Sequence, residues 1–297
     1  MTETAPGPEA PRRSAAPLII RWTVGDVCPA GYEALRLSIA EARRLFGDGP
    51  RYCVCVNSID LDEARARAGE VPQDVAWLSV ERDVPAVLRP FVDAGMSEET
   101  AWKFIRLQLD PAVRKLAVDN DVILWDLPVV LRKWLASETG QDRLMAADVA
   151  LAQGQLAHLC GPKPRNSGIR GTPAGFDFDA AIAAVLHDCP VTHQSEPDEQ
   201  GLQIAALSRD AEPLVVSVDQ VAICSPFPPH GAEMGSCGAH FVGLNARRFH
   251  WDFFGRPAHE VRLDAPAAEE REVVRYSFEG CPLVMDVDQQ IMRRSLC

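Results

Sequence analysis

From Leu18 onward the chain switches between two hydrophobic rhythms. Leu18 to Val24, LIIRWTV, is rich in β-branched and aromatic residues and stops at Gly25, which predicts a strand. Over Tyr32 to Phe46 the apolar positions Leu35, Ile39, Ala42, Leu45 and Phe46 recur at helical spacing ahead of Gly47, which predicts an amphipathic helix. Arg51 to Val56, RYCVCV, predicts a second strand with Asn57 and Ser58 at its end. Leu61 to Ala68 predicts a short helix and Val75 to Val80 a third strand. Ser97, followed by Glu98 and Glu99, marks the start of a helix running through Leu109. Ala117 to Trp125 reads as a strand broken or turned at Asp119-Asn120-Asp121. This alternation predicts an α/β fold with a mainly parallel central sheet flanked by helices. Ligands of such sheets bind beyond the carboxyl ends of the strands, where Asn57 and the acidic triplet fall.

The second half is less regular. Val129 to Leu135 and Phe176 to Leu186 read as helices, the second with Asp177 or Asp179 near its start. Leu214 to Ile223 and Glu272 to Phe278 alternate as strands do, and Gln153 to Cys160 is apolar without a deciding period. No internal repeat is visible. The Pro- and Ala-rich residues 1–17 read as a disordered leader without the apolar segment of a secretory signal, so a single domain over 18–297 is expected.

A net charge of −12 disfavours a nucleic-acid role, because phosphate backbones require a basic face. Nine cysteines at scattered spacings contain no CxxC pair, so zinc-ribbon and thioredoxin-like readings lack support and a reducing cytoplasm is the expected setting. No apolar run reaches the roughly 20 residues of a membrane span.

The triplet is the first sign of chemistry. Two carboxylates two residues apart, Asp119 and Asp121, at the end of a buried strand suit a hard divalent cation that carries a diphosphate. They suit a turn equally well, since Asp and Asn are turn residues. Downstream come Arg165-Asn166-Ser167-Gly168-Ile169, then Asp198-Glu199-Gln200-Gly201-Leu202-Gln203, then His240-Phe241-Val242-Gly243-Leu244-Asn245.

In this order the islands resemble the GT-A nucleotide-sugar glycosyltransferases, nearest the family 8 type that includes glycogenin and bacterial galactosyltransferases. The resemblance spans roughly residues 18 to 255 in short pieces. It implies a GT-A-like domain with a nucleotide-binding half over about 18–126 and an acceptor- and metal-completing half over about 127–297. It also implies transfer of a sugar from a nucleoside diphosphate sugar, UDP-sugars favoured, to a hydroxyl acceptor with retention of configuration. Asp119, Asp121 and His240 look like ligands of Mn²⁺ or Mg²⁺, with His250 an alternative third ligand. Asn166, Ser167 and Gly168 look like the segment along the donor sugar, and Glu199 and Gln200 like the pair near the anomeric carbon. Gly243 matches a close approach to phosphate. The family's lysine and Pro-Trp are missing after it; Ala246, Arg247 and Arg248 stand there, and either arginine can supply the cation. Lys103 and Arg106 fall where related enzymes face the nucleotide, and Thr23, Gly25 and Asn57 fit its first contacts. Two other readings stand beside this one. A sugar-phosphate nucleotidyltransferase shares such a sheet, but the first loop, GDVCPAGYEAL, lacks a basic residue. A non-catalytic nucleotide-sugar-binding homologue would explain the missing Lys-Pro-Trp.

Overall fold

The computed structural model describes residues 17–80, 84–94, 103, 112–137, 140–224, 234–242 and 244–245, together with the backbone of four strands between 261 and 294. The first strand, β1 (Leu18–Val24), is an interior strand of a seven-stranded sheet and is buried on both faces. Ile20, Trp22 and Val24 pack toward helix α1 (Pro29–Phe46), and Ile19 packs on the other side. α1 begins three residues earlier than its apolar period suggested, because Pro29 fits the first helical position, where a missing N–H costs nothing. Its buried face presents Leu35, Ile39 and Ala42, as the spacing predicted. The indole of Trp22 is satisfied inside the core: Nε1 donates to Ser38 Oγ (2.9 Å), which donates to the carbonyl of Val122 (2.6 Å).

Strands β2 (Arg51–Val56) and β3 (Ala76–Ser79) follow on one side of β1, with α2 (Leu61–Ala68) between them capped by Asp60. Strand β4 (Arg114–Val118) lies on the other side. These four strands are parallel, as the alternation predicted. A short helix, α3 (Arg89–Asp93), precedes β4. The helix expected from Ser97 to Leu109 falls almost wholly outside the described residues.

The segment 117–125 turns at the triplet, as one of its two readings expected. β4 ends at Val118, the triplet turns, and β5 (Val122–Leu124) joins a second, three-stranded sheet. The turn is tight, with Val122 N bonded to Asp119 O at 3.0 Å. Helix α4 (Val129–Leu135) follows as expected.

Beyond it the main sheet continues with β6 (Leu144–Ala147) and β7 (Arg165–Thr172), in the order β3-β2-β1-β4-β7-β6, and closes on β8 (Leu214–Val216). β7 is antiparallel to both its neighbours, so it is the one reversed strand. It carries Asn166, Ser167 and Gly168 as part of a buried interior strand. Leu214 to Ile223 is not one strand. A turn at Ser217 to Gln220 divides it into β8 and β9 (Val221–Cys224), which lie in different sheets.

The apolar run after Gln153 forms a 3₁₀ turn over Gly154–Leu159. Helix α5 (Phe178–Asp188) is capped by Asp177, which accepts from Ala180 N at 3.1 Å. The acidic stretch 196–200 is helical. It opens helix α6 (Glu196–Ser208), with a capping box between Ser195 and Asp198, and both Asp198 and Glu199 are buried. Strand β10 (Gly238–Phe241) completes the small sheet between β5 and β9. Strands β11 (Val261–Asp264), β12 (Val273–Phe278), β13 (Cys281–Asp286) and β14 (Ile291–Arg294) form an antiparallel meander, which includes the strand expected at 272–278.

Candidate active site

The turn between β4 and β5 and the strand β10 bring two carboxylates and an imidazole together. Sheet register does this: His240 is opposite Val122, and Phe241 N bonds Asp121 O at 2.9 Å. Ligand atoms of Asp119, Asp121 and His240 all lie within 4.8 Å of one another, and the three residues are buried. The same segment is therefore a turn whose carboxylates, with His240, form a group that could hold a metal ion.

The hydrogen bonds around His240 decide what its ring presents. Asn166 Oδ1 accepts from Gly168 N at 2.7 Å, and its Nδ2 donates to Asp148 Oδ2 at 3.1 Å. That fixes the amide's orientation. His240 Nδ1, 3.0 Å from Asn166 Oδ1, must then carry a hydrogen. Nε2 faces Asp121 Oδ1 at 3.3 Å, and that carboxylate oxygen is buried without a hydrogen bond. With a neutral ring, two lone pairs would point at each other there. A positive species is needed between them, either a proton or a metal. Accordingly the imidazole is held above its usual pKa: burial pushes it down, but Asp121 and then Asp119 outweigh burial. Two carboxylates and an imidazole oriented through its other nitrogen form a donor set that fits a divalent cation of the Mn²⁺ or Mg²⁺ class. Gly168 is part of this construction, since a Cβ on it would meet the His240 ring at 2.5 Å.

Basic and acidic side chains surround the cluster. Lys103 Nζ donates to Asp119 Oδ2 at 2.9 Å, and buried Arg170 donates to Asp119 Oδ1 at 3.1 Å. Burial works to raise the Asp119 carboxyl's pKa, but these cations hold it below its usual value. Arg170 also donates to Gln203 Oε1, and Gln203 Nε2 donates to Glu199 Oε1. Glu199 shifts the other way. Burial raises its pKa, and Lys103 and Arg170 only partly offset this. Three carboxylates, Asp119, Asp121 and Glu199, face two cations, Lys103 and Arg170, which leaves one negative charge in excess when His240 is neutral.

Gln200 reaches back to β7, where its Oε1 accepts from Ser167 N at 3.2 Å. Gly25 and Asn57 meet at the carboxyl ends of β1 and β2, so closely that a Cβ on Gly25 would lie 2.0 Å from Asn57 Oδ1. Thr23 is half-buried on β1. Trp22 and Tyr32 are core residues, and the Tyr32 hydroxyl donates to Gly25 O at 2.8 Å. Arg106, Gly243, Arg247, Arg248 and His250 lie outside the described residues. Sequence reasoning did not single out Arg170, Gln203, Asp148 or the reciprocal amide pair Asn120–Asn245, whose Asn245 Nδ2 also donates to Asp121 Oδ2 at 3.2 Å.

No protein-family model and no characterised protein sequence matches this chain. Solved structures do match. A crystal structure of the galactosyltransferase LgtC in complex with donor and acceptor sugar analogues covers 81% of this chain and 92% of its own, with a TM-score of 0.50 and 13% identity. A crystal structure of an active-site mutant of LgtC gives the same values. At that identity the likeness is one of fold: the chain has the mixed α/β architecture of a GT-A galactosyltransferase of family 8 type.

Proposed function

We propose that this chain is a divalent-cation-dependent glycosyltransferase that moves a sugar from a nucleoside diphosphate sugar, UDP-sugars favoured, to a hydroxyl acceptor with retention of configuration. One observation carries the reading: Asp119, Asp121 and His240 converge, buried, beyond the carboxyl end of β4 on a GT-A fold. A Mn²⁺ or Mg²⁺ held by these side chains would neutralise the diphosphate as it leaves. Through its contact with Nδ1, Asn166 would leave the His240 Nε2 lone pair free to hold such an ion. Lys103 and Arg170 supply positive charge beside the diphosphate, and Arg247 is the cation proposed at the position of the missing lysine. Glu199 and Gln200 open helix α6 at the end of the cluster, the place proposed for the anomeric carbon. Residues 18–297 are read as one working domain. The seven described cysteines are all free, which fits a reducing cytoplasmic setting, and no described helix is long and apolar enough to cross a membrane.

The test is donor hydrolysis in the absence of an acceptor. Release of UDP from a panel of UDP-sugars should require Mn²⁺ or Mg²⁺. Asp121→Ala should lower it at least about a hundredfold, the scale seen when one electrostatic stabiliser of a leaving group is removed. Turnover that persists in chelator, or that survives Asp121→Ala, would refute the proposal.

A further inference from the structure

Asp119 is gripped on both oxygens, by Lys103 on Oδ2 and by Arg170 on Oδ1. The two cations are not equivalent. Arg170 is 5% exposed and is pinned through Gln203, itself fully buried, to Glu199. Moving it would leave a buried guanidinium and a buried amide unpaired, each at the full penalty of its desolvation. Lys103 keeps 31% of its side chain exposed, and its ammonium rides on a flexible four-carbon stem. It is also the residue whose charge most strongly offsets the Asp119 carboxylate.

We propose that Lys103 is the movable countercation of this site: in the nucleotide-free protein it neutralises Asp119 and holds down the affinity for a divalent cation, and a nucleoside diphosphate draws its ammonium away. This rests on the reading given under Proposed function. Electrostatics supplies the mechanism. With Lys103 on Asp119 the cluster has one negative charge in excess; once the ammonium turns to a phosphate oxygen, Arg170 alone faces three carboxylates. The ion then meets a more negative cradle, with Asp119 Oδ2 released. By linkage, the ion tightens the diphosphate by the factor through which the diphosphate tightens the ion. Arg170 stays fixed and keeps Asp119 oriented throughout.

The experiment titrates Mn²⁺ alone, by the loss of its free-ion paramagnetic resonance signal, into wild type, Lys103→Met and Lys103→Gln, with and without UDP. Lys103→Met should bind Mn²⁺ alone about tenfold more tightly than wild type, the order expected from removing one unit charge several ångströms from a divalent ion at an effective dielectric well above that of dry protein. The enhancement by UDP should shrink accordingly. Lys103→Gln keeps a donor for Asp119 but no charge, and should match Lys103→Met. If wild type binds Mn²⁺ with UDP but neither variant binds Mn²⁺ alone more tightly than wild type, this inference is overturned and the proposed function stands. If only Lys103→Met tightens, the effect is not one of charge and the inference is likewise overturned. If no protein binds Mn²⁺ with or without UDP, the proposed function fails and takes the inference with it.

Discussion

At the scale of single residues, the site depends on close approach more than on the number of charges. Gly168 is the sharpest case, because an added methyl group would strike the imidazole that the Asn166 amide orients. Gly168→Ala should therefore displace His240, weaken Mn²⁺ binding at least about tenfold, as loss of an outer-shell support does, and cost about 1–3 kcal/mol as overpacking of a central strand. Urea unfolding and a Mn²⁺ titration check the two effects separately, and unchanged Mn²⁺ affinity would contradict the assignment of His240. The sequence revealed the short acidic residues and the histidine because their types are informative without a partner. Arg170 directly follows one quoted motif and Gln203 ends another, yet neither carried a signal of its own. An arginine inside a strand becomes informative only when the strand is known to be central and buried, and β7, RNSGIRGT, holds a single large apolar residue.

At the scale of elements, α6 presents Glu199 and Gln200, and its first turn is held by Asp198. That carboxylate is fully buried, which raises its pKa, but bonds from the N–H groups of Gln155, Gln194 and Ser195 outweigh burial and depress it. The sign follows. A depressed folded pKa adds stability above the unfolded value of about 3.9, and that stability is lost as pH falls through the lower folded value. Asp198→Asn should cost about 1–2 kcal/mol at pH 7, as removal of a helix cap does. The gap to wild type should narrow in denaturant titrations carried below pH 4. A gap that is constant with pH would show that Asp198 acts through packing alone. The elements that the sequence predicted well, β1, α1, β2 and α2, have strong single-period patterns and clear stops at Gly25, Gly47 and Gly69. β10, GAHF, has four residues, too few to show a period, and it is recognisable only through its pairing with β5.

At the scale of the whole molecule, the strand–helix alternation was enough to predict a mainly parallel sheet with the triplet at its carboxyl edge. It did not predict that β7 runs against its neighbours or that β5 leaves for a second sheet, because both are settled by long-range pairing. Those two departures make the site: β7 brings Asn166, Gly168 and Arg170 beside Asp119, and the small sheet brings His240 beside Asp121. The central claim is that this junction exists to hold a metal and a nucleoside diphosphate. The most direct test is thermal unfolding of wild type and Asp121→Ala with UDP-, GDP- and dTDP-sugars, with and without Mn²⁺. A donor at a hundred times its Kd should stabilise wild type by about 2.7 kcal/mol, only when Mn²⁺ is present, and should leave Asp121→Ala unmoved. If no nucleotide stabilises wild type with any metal, the Asp119–Asp121 turn is structural and the account is wrong.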